Sequence, residues 1–443
     1  MSDQLDCVVI GSGAAGIAAA TLLADGHKDF LVLEAHDHVG GRTRSVLLSQ
    51  GVSLELGAQA IHGSRLPTWE YVIRAGVPTD GTIPPDQAPL LRFDGQTWTQ
   101  EQEDPAMQEV WAKIEEVWIE PAYDDVLVLD ALRDSGFTQE QIDVVTDNLE
   151  DRQSGFLSET SAREAAAILH MVRPLRGAWY WLVDGYSDLW SKVTEPFSDR
   201  IRLSAPVTAI EWSDGAVVVH ADGERFAART AIITASVGAL QGGAIEFLPA
   251  LPEFKREAIQ RLRMKQTEKL LVELRHPFWE RYIGDAVRFV GPDSPTEWWI
   301  YFAGRDGPPI LLSSPRVEFW QKYRDDPDGL ESFVLADLAT LFPDVDIASE
   351  FVRLTASEWA KDPWTRGRTS IAPVGGSQLR AQLAAPTPPL FWAGEATRTD
   401  GTARGVHGAI LSGRQAAIEA AHQLRPWTTQ DPDSRLAWSR YPD

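Results

Sequence analysis

The stretch from Val8 to Thr43, VVIGSGAAGIAAATLLADGHKDFLVLEAHDHVGGRT, constrains this chain more than any other. DCVVIG reads as a buried parallel strand, AAGIAAATLLADG as a helix stopped by Gly26, and DFLVLEA as a second strand. Together they make a βαβ unit. Gly11, Gly13 and Gly16 stand at the strand-to-helix turn in the spacing G-x-G-x-x-G. Glycine there permits a tight turn and lets backbone N–H groups, with Ala14 and Ala15 at the helix start, approach a pyrophosphate. Glu34 follows at the end of the second strand, beside Ala35, where a carboxylate can accept hydrogen bonds from ribose hydroxyls. This combination specifies a dinucleotide and leaves NAD or FAD open.

Composition narrows the partners. A chain of 443 residues predicts two closely packed domains, and 44% hydrophobic with 24% charged residues describes an ordinary globular protein. The formal net charge of −23 argues against nucleic acid, whose phosphates need clustered Lys and Arg. A single cysteine, Cys7, excludes internal disulfides and cysteine-rich metal sites, and its place in the first apolar run predicts a buried structural thiol. No basic segment followed by a cleavable apolar stretch precedes the motif, so a cytoplasmic location is expected. No apolar run reaches membrane-spanning length, and the polar tail 426–443 is expected to be no anchor.

Helical patterns run from Pro67 to Trp190, as in DPAMQEVWAKIEEVW and SAREAAAILHMV. Residues 200 to 236 return to short strands with Asp-Gly turns at Asp214-Gly215 and Asp222-Gly223. Strands and one helix, DGLESFVLADLATLF, follow to Phe351; PLFWAGEA and GAILSGRQAAIEAAHQL supply a last strand and helix.

Three stretches resemble the flavin-containing amine oxidase family. VGGRTRS, with Gly40, Gly41 and Arg42, is similar to that family's extension of the dinucleotide motif, in which the glycines lie against the diphosphate and the arginine adds charge. LELGAQAIHG, Leu54 to Gly63, resembles the strand and turn lining the flavin of polyamine oxidases, and brings in Gly57 and Ala58. LFWAGEATRTDGTARGVHGAILSGRQAA resembles the carboxy-terminal flavin motif, with Gly394, Glu395 toward the ribityl chain, and Gly405 and Val406 near the flavin pyrimidine. Val207 and Trp359 complete the cofactor set that the resemblance implies. It implies an α/β fold: a Rossmann-like, glutathione-reductase-like FAD-binding domain (1–75, 195–268 and 355–425) interleaved with a mixed-sheet and helical substrate domain (76–194 and 269–354).

The likeness also assigns chemistry. KLLVELRHPFW resembles the strand whose lysine, here Lys269, holds a water against flavin N5; a solvated strand-end lysine is the plainer reading, and Lys265 is the alternative in a shifted register. Monoamine oxidases link flavin to a cysteine matched here by Gly367, so FAD is expected to be non-covalent. Their two substrate-flanking tyrosines correspond to Arg368 and Gly405, so the aromatic cage is expected to be missing. His62 is similar in position to the polyamine-oxidase residue that orients the substrate amine. Ala60 and Gly405 each lack a large side chain, which predicts a widened pocket. Tyr180 is a pocket-wall or core residue, and Arg324 either reaches the cavity toward an anionic or carbonyl group or is a solvated loop arginine.

The activity implied is hydride transfer from the carbon alpha to an amine nitrogen onto flavin N5, giving an imine, with O2 reoxidising the flavin to yield H2O2. A biosynthetic oxidase taking a bulky amine or amide is the second reading, and a non-oxidase FAD-binding module the third. Expected partners are a small amine or amide and O2, with no nucleic acid, no metal and no membrane; a homodimer is compatible.

Overall fold

The computed structural model describes residues 4–82, 90–100, 112, 125–139, 141–142, 160–172 and 179–424, apart from 285, 292, 293, 295, 304, 305 and 316. Of the helix expected over 104–118 only Ala112 is described, and it is helical; the tail 426–443 lies outside the described residues.

The opening unit forms as its pattern demands. β1 (Leu5–Ile10), α1 (Ala14–Asp25) and β2 (Phe30–Leu33) follow in sequence, with the two strands parallel and Cys7 facing Phe30 in register. β1 is central, flanked on its other side by the parallel strand Glu224–Ile233, and its side chains enter separate cores on the two faces of the sheet, Val8 and Ile10 in one, Cys7 and Val9 in the other. Cys7 is fully buried, and burial pushes its thiol up to about 12, as befits an inert structural group. Strand Glu224–Ile233 also pairs with Leu390–Trp392 in parallel and with Ala216–Ala221 antiparallel, which ties both ends of the chain into one sheet. Asp222 and Gly223 turn that antiparallel pair with φ of 50° and 73°, the left-handed pair a tight hairpin needs.

A second, seven-stranded sheet contains Leu270–Leu274, Ile310–Ser313, Phe351–Ala356 and, across two further strands, Leu90–Phe93. Its core holds Trp298, Phe289, Phe342 and the buried side of the helix Pro327–Leu341. A three-stranded ribbon of Ile61–His62, Trp179–Leu182 and Thr79–Thr82 stands apart from both sheets.

α1 lies along the last helix, Val406–Leu424, at a distance only small residues allow: a Cβ added to Gly413 would fall 2.0 Å from the Ala15 carbonyl oxygen. Gly16 is equally constrained, since its Cβ would fall 1.9 Å from the Gly11 oxygen. Gly16→Ala is therefore expected to force α1 off β1 and to cost about 1–3 kcal/mol, read as a lowered thermal midpoint with weakened flavin retention. No described helix is long and apolar enough to cross a membrane. Among the described residues, no cluster of three metal-ligating side chains occurs.

Candidate functional site

Two cavities meet at the amino-terminal end of α1, and both are walled by Gly13, Arg42 and Thr234. The smaller is lined by Gly11, Glu34, Ala35, His36, Gly41, Val207, Ser236 and Trp364. The larger, about 1860 Å³ including the part open to solvent, runs past Ala14, Ala15, Gly40, Gly57, Ala58, Trp359, Gly394, Glu395, Gly405 and Val406. Every cofactor residue expected from sequence lines one of them except Gly16, which serves helix-on-strand packing instead of contact with a ligand.

Local structure explains the cradle. Gly13 is the N-cap of α1 and no side chain caps that end, so the first helical N–H groups are left for an anion. Gly11 has φ 97° and brings its backbone against Thr234, where a side chain would meet Thr234 Oγ1 at 2.6 Å. Glu34 is buried, and its carboxylate accepts from Ser12 N at 2.6 Å, Ser12 Oγ at 2.8 Å and His36 N at 2.9 Å. Burial works to raise its pKa, but hydrogen bonds from His36 and Ser12 outweigh it and hold the carboxyl below the usual range.

His36 escaped the sequence reading because nothing near it in the chain marks Asp362 as its partner. Its Nε2 lies 2.9 Å from Asp362 Oδ2, and its Nδ1 3.3 Å from Glu34 Oε1. Hydrogen bonds to Asp362 and Glu34 raise its pKa to about 9. The ionised partners stabilise the folded protein while His36 is protonated. The advantage of the wild type over His36→Gln is thus expected to be full below pH 6.5 and to vanish as pH rises through 9, as thermal midpoints at pH 6 and pH 10 will show.

At the other end of the cradle, Glu395 gathers charges from three directions. Arg42 Nη1 donates to it at 2.9 Å, Ser370 Oγ at 2.7 Å, Ser370 N at 3.2 Å and Arg404 N at 3.2 Å. Arg380 reaches the same cluster through Ser370 Oγ at 2.8 Å and is paired with Glu164. Glu395 is buried; burial opposes its ionisation, yet Arg42 and Arg380 hold its pKa below the usual range.

Lys269 is fully enclosed and absent from the cavity wall. Its Nζ donates to Glu55 O and Gly57 O, each at 2.9 Å, and to Gln59 Oε1 at 3.0 Å. The three hydrogens of an ammonium are thereby matched to protein oxygens. This corrects the direct water-holding geometry expected from sequence: the groups that Lys269 fixes, Gly57 and Gln59, are on the wall, and Lys269 is behind them. Burial, reinforced by the Arg368 charge, pushes its pKa down, while burial raises that of neighbouring Glu55 to about 7.

The substrate-side expectations divide. His62, Arg368 and Gly405 line the larger cavity. Tyr180 does not: strand alternation turns it away to pack edge-on against Trp69 at 4.8 Å. Its neighbour Trp179 lines the wall instead, opposite His62 in register and stacked on it at 4.5 Å with 4° between the ring planes. Arg324 is likewise excluded, its Nε paired with Asp325 at 3.0 Å at the surface. The space at Gly405 is not open, because a Cβ there would lie 2.4 Å from the His407 ring. His407 thus takes the volume that the glycine releases, and the widening expected at 405 does not occur. The adjacency of Gly405 and His407 in the sequence was the available signal. His407 is buried, its Nε2 has no hydrogen-bond partner among the described residues, and burial lowers its pKa to about 4, so it is neutral at pH 7.

The family model for flavin-containing amine oxidoreductases matches residues 14–421. Polyamine oxidase 3 of Oryza sativa subsp. japonica is 29% identical over 93% of this chain and 88% of its own. Lysine-specific histone demethylase 2 of Homo sapiens is 27% identical over 94% of this chain and 53% of its own. Among solved structures, cyclohexylamine oxidase from Brevibacterium oxydans superposes with a TM-score of 0.81 at 21% identity, covering 95% of this chain and 99% of that one. A putrescine oxidase variant superposes with the same TM-score, identity and coverage. With the family pattern spanning both chain ends and the enclosed cradle between them, this chain belongs to the flavin-containing amine oxidoreductase family, and it is an enzyme of the amine oxidase type.

Proposed function

We propose that this protein is an FAD-dependent oxidase that oxidises an amine to an imine with O2 as acceptor, and that FAD is held without a covalent link. The observation that carries the reading is the continuity of the two cavities across the bare N-terminus of α1, from Glu34 at one end to His62 and His407 at the other. Described residues of the segments 1–75, 195–268 and 355–425 supply most of the cofactor side, and Trp179, Trp299, Leu312 and Ser314 come to the cavity from the segments between them.

Glu34 is suited to a ribose, the N–H groups at Gly13 to Ala15 with Arg42 to a diphosphate, and Glu395 with Val406 to the flavin half. Bound flavin supplies a two-electron acceptor: a C–H hydride and an N–H proton leave the amine, and O2 takes up two electrons and two protons to become H2O2. The protein's part is orientation and desolvation. Apolar wall groups around Trp179 favour the neutral amine, which is the form able to release hydride. His407 is neutral and packs in the wall over Gly405, and His62 is braced against Trp179. Arg368 in the wall disfavours a polycationic amine and is compatible with an amine or amide of another kind.

Two measurements check this. Denatured protein is expected to release FAD into the supernatant; flavin remaining with the precipitate would refute non-covalent binding. Peroxide is expected on mixing with at least one amine of a panel containing spermine, putrescine, benzylamine, bulkier aromatic amines and aromatic amino acids. Absence of peroxide across the panel, despite bound FAD, would favour a non-oxidase flavoprotein.

A further inference from the structure

Arg368 is placed in the cavity wall with its backbone held on both sides and its guanidinium almost unused. Its N–H donates to Lys265 O at 2.8 Å, and its carbonyl accepts from Arg42 Nη1 at 3.0 Å. Among the described residues the guanidinium has one hydrogen bond, from Nη1 to Ser314 Oγ, and at 3.5 Å that bond is weak. Ser314, Leu312 and Trp299 stand with it in the same wall. Among the described residues no carboxylate pairs with it. Glu268, whose charge acts on it through space, already accepts from Ser357 Oγ at 2.6 Å, Ala360 N at 2.8 Å and Trp359 N at 3.0 Å.

The rest of the wall sharpens the point. Among the described residues the only acidic side chain lining the larger cavity is Glu395, and its oxygens are occupied by Arg42, Ser370 and Arg404. A polycation entering this space would find a guanidinium and no free carboxylate. Placing a charge in a cavity wall without an ion-pair partner is unfavourable, so a half-buried arginine with spare donors is suited to a ligand that brings the anion.

We propose that the substrate is an amine that also carries a carboxylate: the carboxylate docks on Arg368, and the amine is received by the group of His62, Trp179 and His407. The inference rests on the amine-oxidase reading for the amine end and adds the anionic end. Arginine presents a planar fork of donors that suits a carboxylate better than lysine does.

The test uses equilibrium binding, read from perturbation of the flavin absorbance of the holoenzyme without turnover. Probes are benzoate, its neutral counterpart benzamide, benzylamine and spermine. In the wild type, benzoate is expected to bind at least tenfold more tightly than benzamide, and spermine to produce no saturable change. Arg368→Met is expected to weaken benzoate at least tenfold while leaving benzamide within twofold, with Arg368→Lys in between. Bound FAD is counted first, and if Arg368→Met loses FAD the benzoate-to-benzamide ratio in the wild type decides alone. Equal binding of benzoate and benzamide, or benzoate binding indifferent to Arg368→Met, overturns the proposal. Peroxide from spermine together with such indifference leaves the oxidase reading standing without it. Benzoate binding through Arg368 with no amine oxidised leaves the anion site standing without the oxidase.

Discussion

Glu395→Ala is expected to destabilise the protein by about 3–5 kcal/mol and to abolish stable retention of flavin. The carboxylate accepts four hydrogen bonds and is the direct ion-pair partner of Arg42. Removing one partner of a buried pair leaves the other charge uncompensated, which costs far more than the pair itself contributes. Here Arg42 and Arg380 both lose a counter-charge close to the cradle. Glu395→Gln keeps the shape and tests the charge alone. Because the folded-state pKa of Glu395 lies below its ordinary value of 4.5, its stabilisation is present above that value and is lost as pH falls through the folded-state pKa. The wild type and Glu395→Gln should therefore differ widely in thermal midpoint at pH 7 and converge in acid. A gap that persists unchanged to acid pH would sink the charge argument.

Lys269→Met is expected to slow flavin reduction by about 100-fold, the size of effect that a misplacement near 1 Å produces at a reacting centre. The substitution removes a donor from the Glu55 and Gly57 carbonyls and from Gln59, and each orphaned buried acceptor costs about 1–3 kcal/mol. A lowered thermal midpoint would follow from packing alone. What separates a positioning role from a structural one is the rate of reduction per bound flavin in anaerobic rapid mixing. If that rate matches the wild type while the thermal midpoint falls, Lys269 only supports the fold. A rate loss shared by Gln59→Ala would show that Lys269 works through the wall residue it holds.

The cofactor side was legible in the sequence because its determinants are local. A diphosphate requires backbone N–H groups at a helix start, and glycine spacing plus Glu34 encodes that arrangement within one supersecondary unit. The substrate side is assembled from distant segments, and there the reading by residue type faltered. Tyr180 and Trp179 are adjacent, and only the strand phase, fixed by pairing with Ile61 and His62, decides which ring meets the cavity. Gly405 suggested empty space, but the side chain two residues later folds back over it. Arg324 and Arg368 are the same residue type, yet one faces water beside Asp325 and the other sits among Trp299, Leu312 and Ser314. His36 could not be recognised because its partner, Asp362, lies on the far side of the chain in sequence.

The strand Glu224–Ile233 sits between β1 and the strand Leu390–Trp392, and α1 rests on the helix Val406–Leu424. During synthesis, then, the first βαβ unit emerges long before the partners that cover it. Neither Glu395 nor the last helix is available to a nascent chain that has reached only residue 389. Flavin capture is consequently a late event in biogenesis, and ribosome-bound chains halted before that point should be protease-sensitive and unable to hold the cofactor.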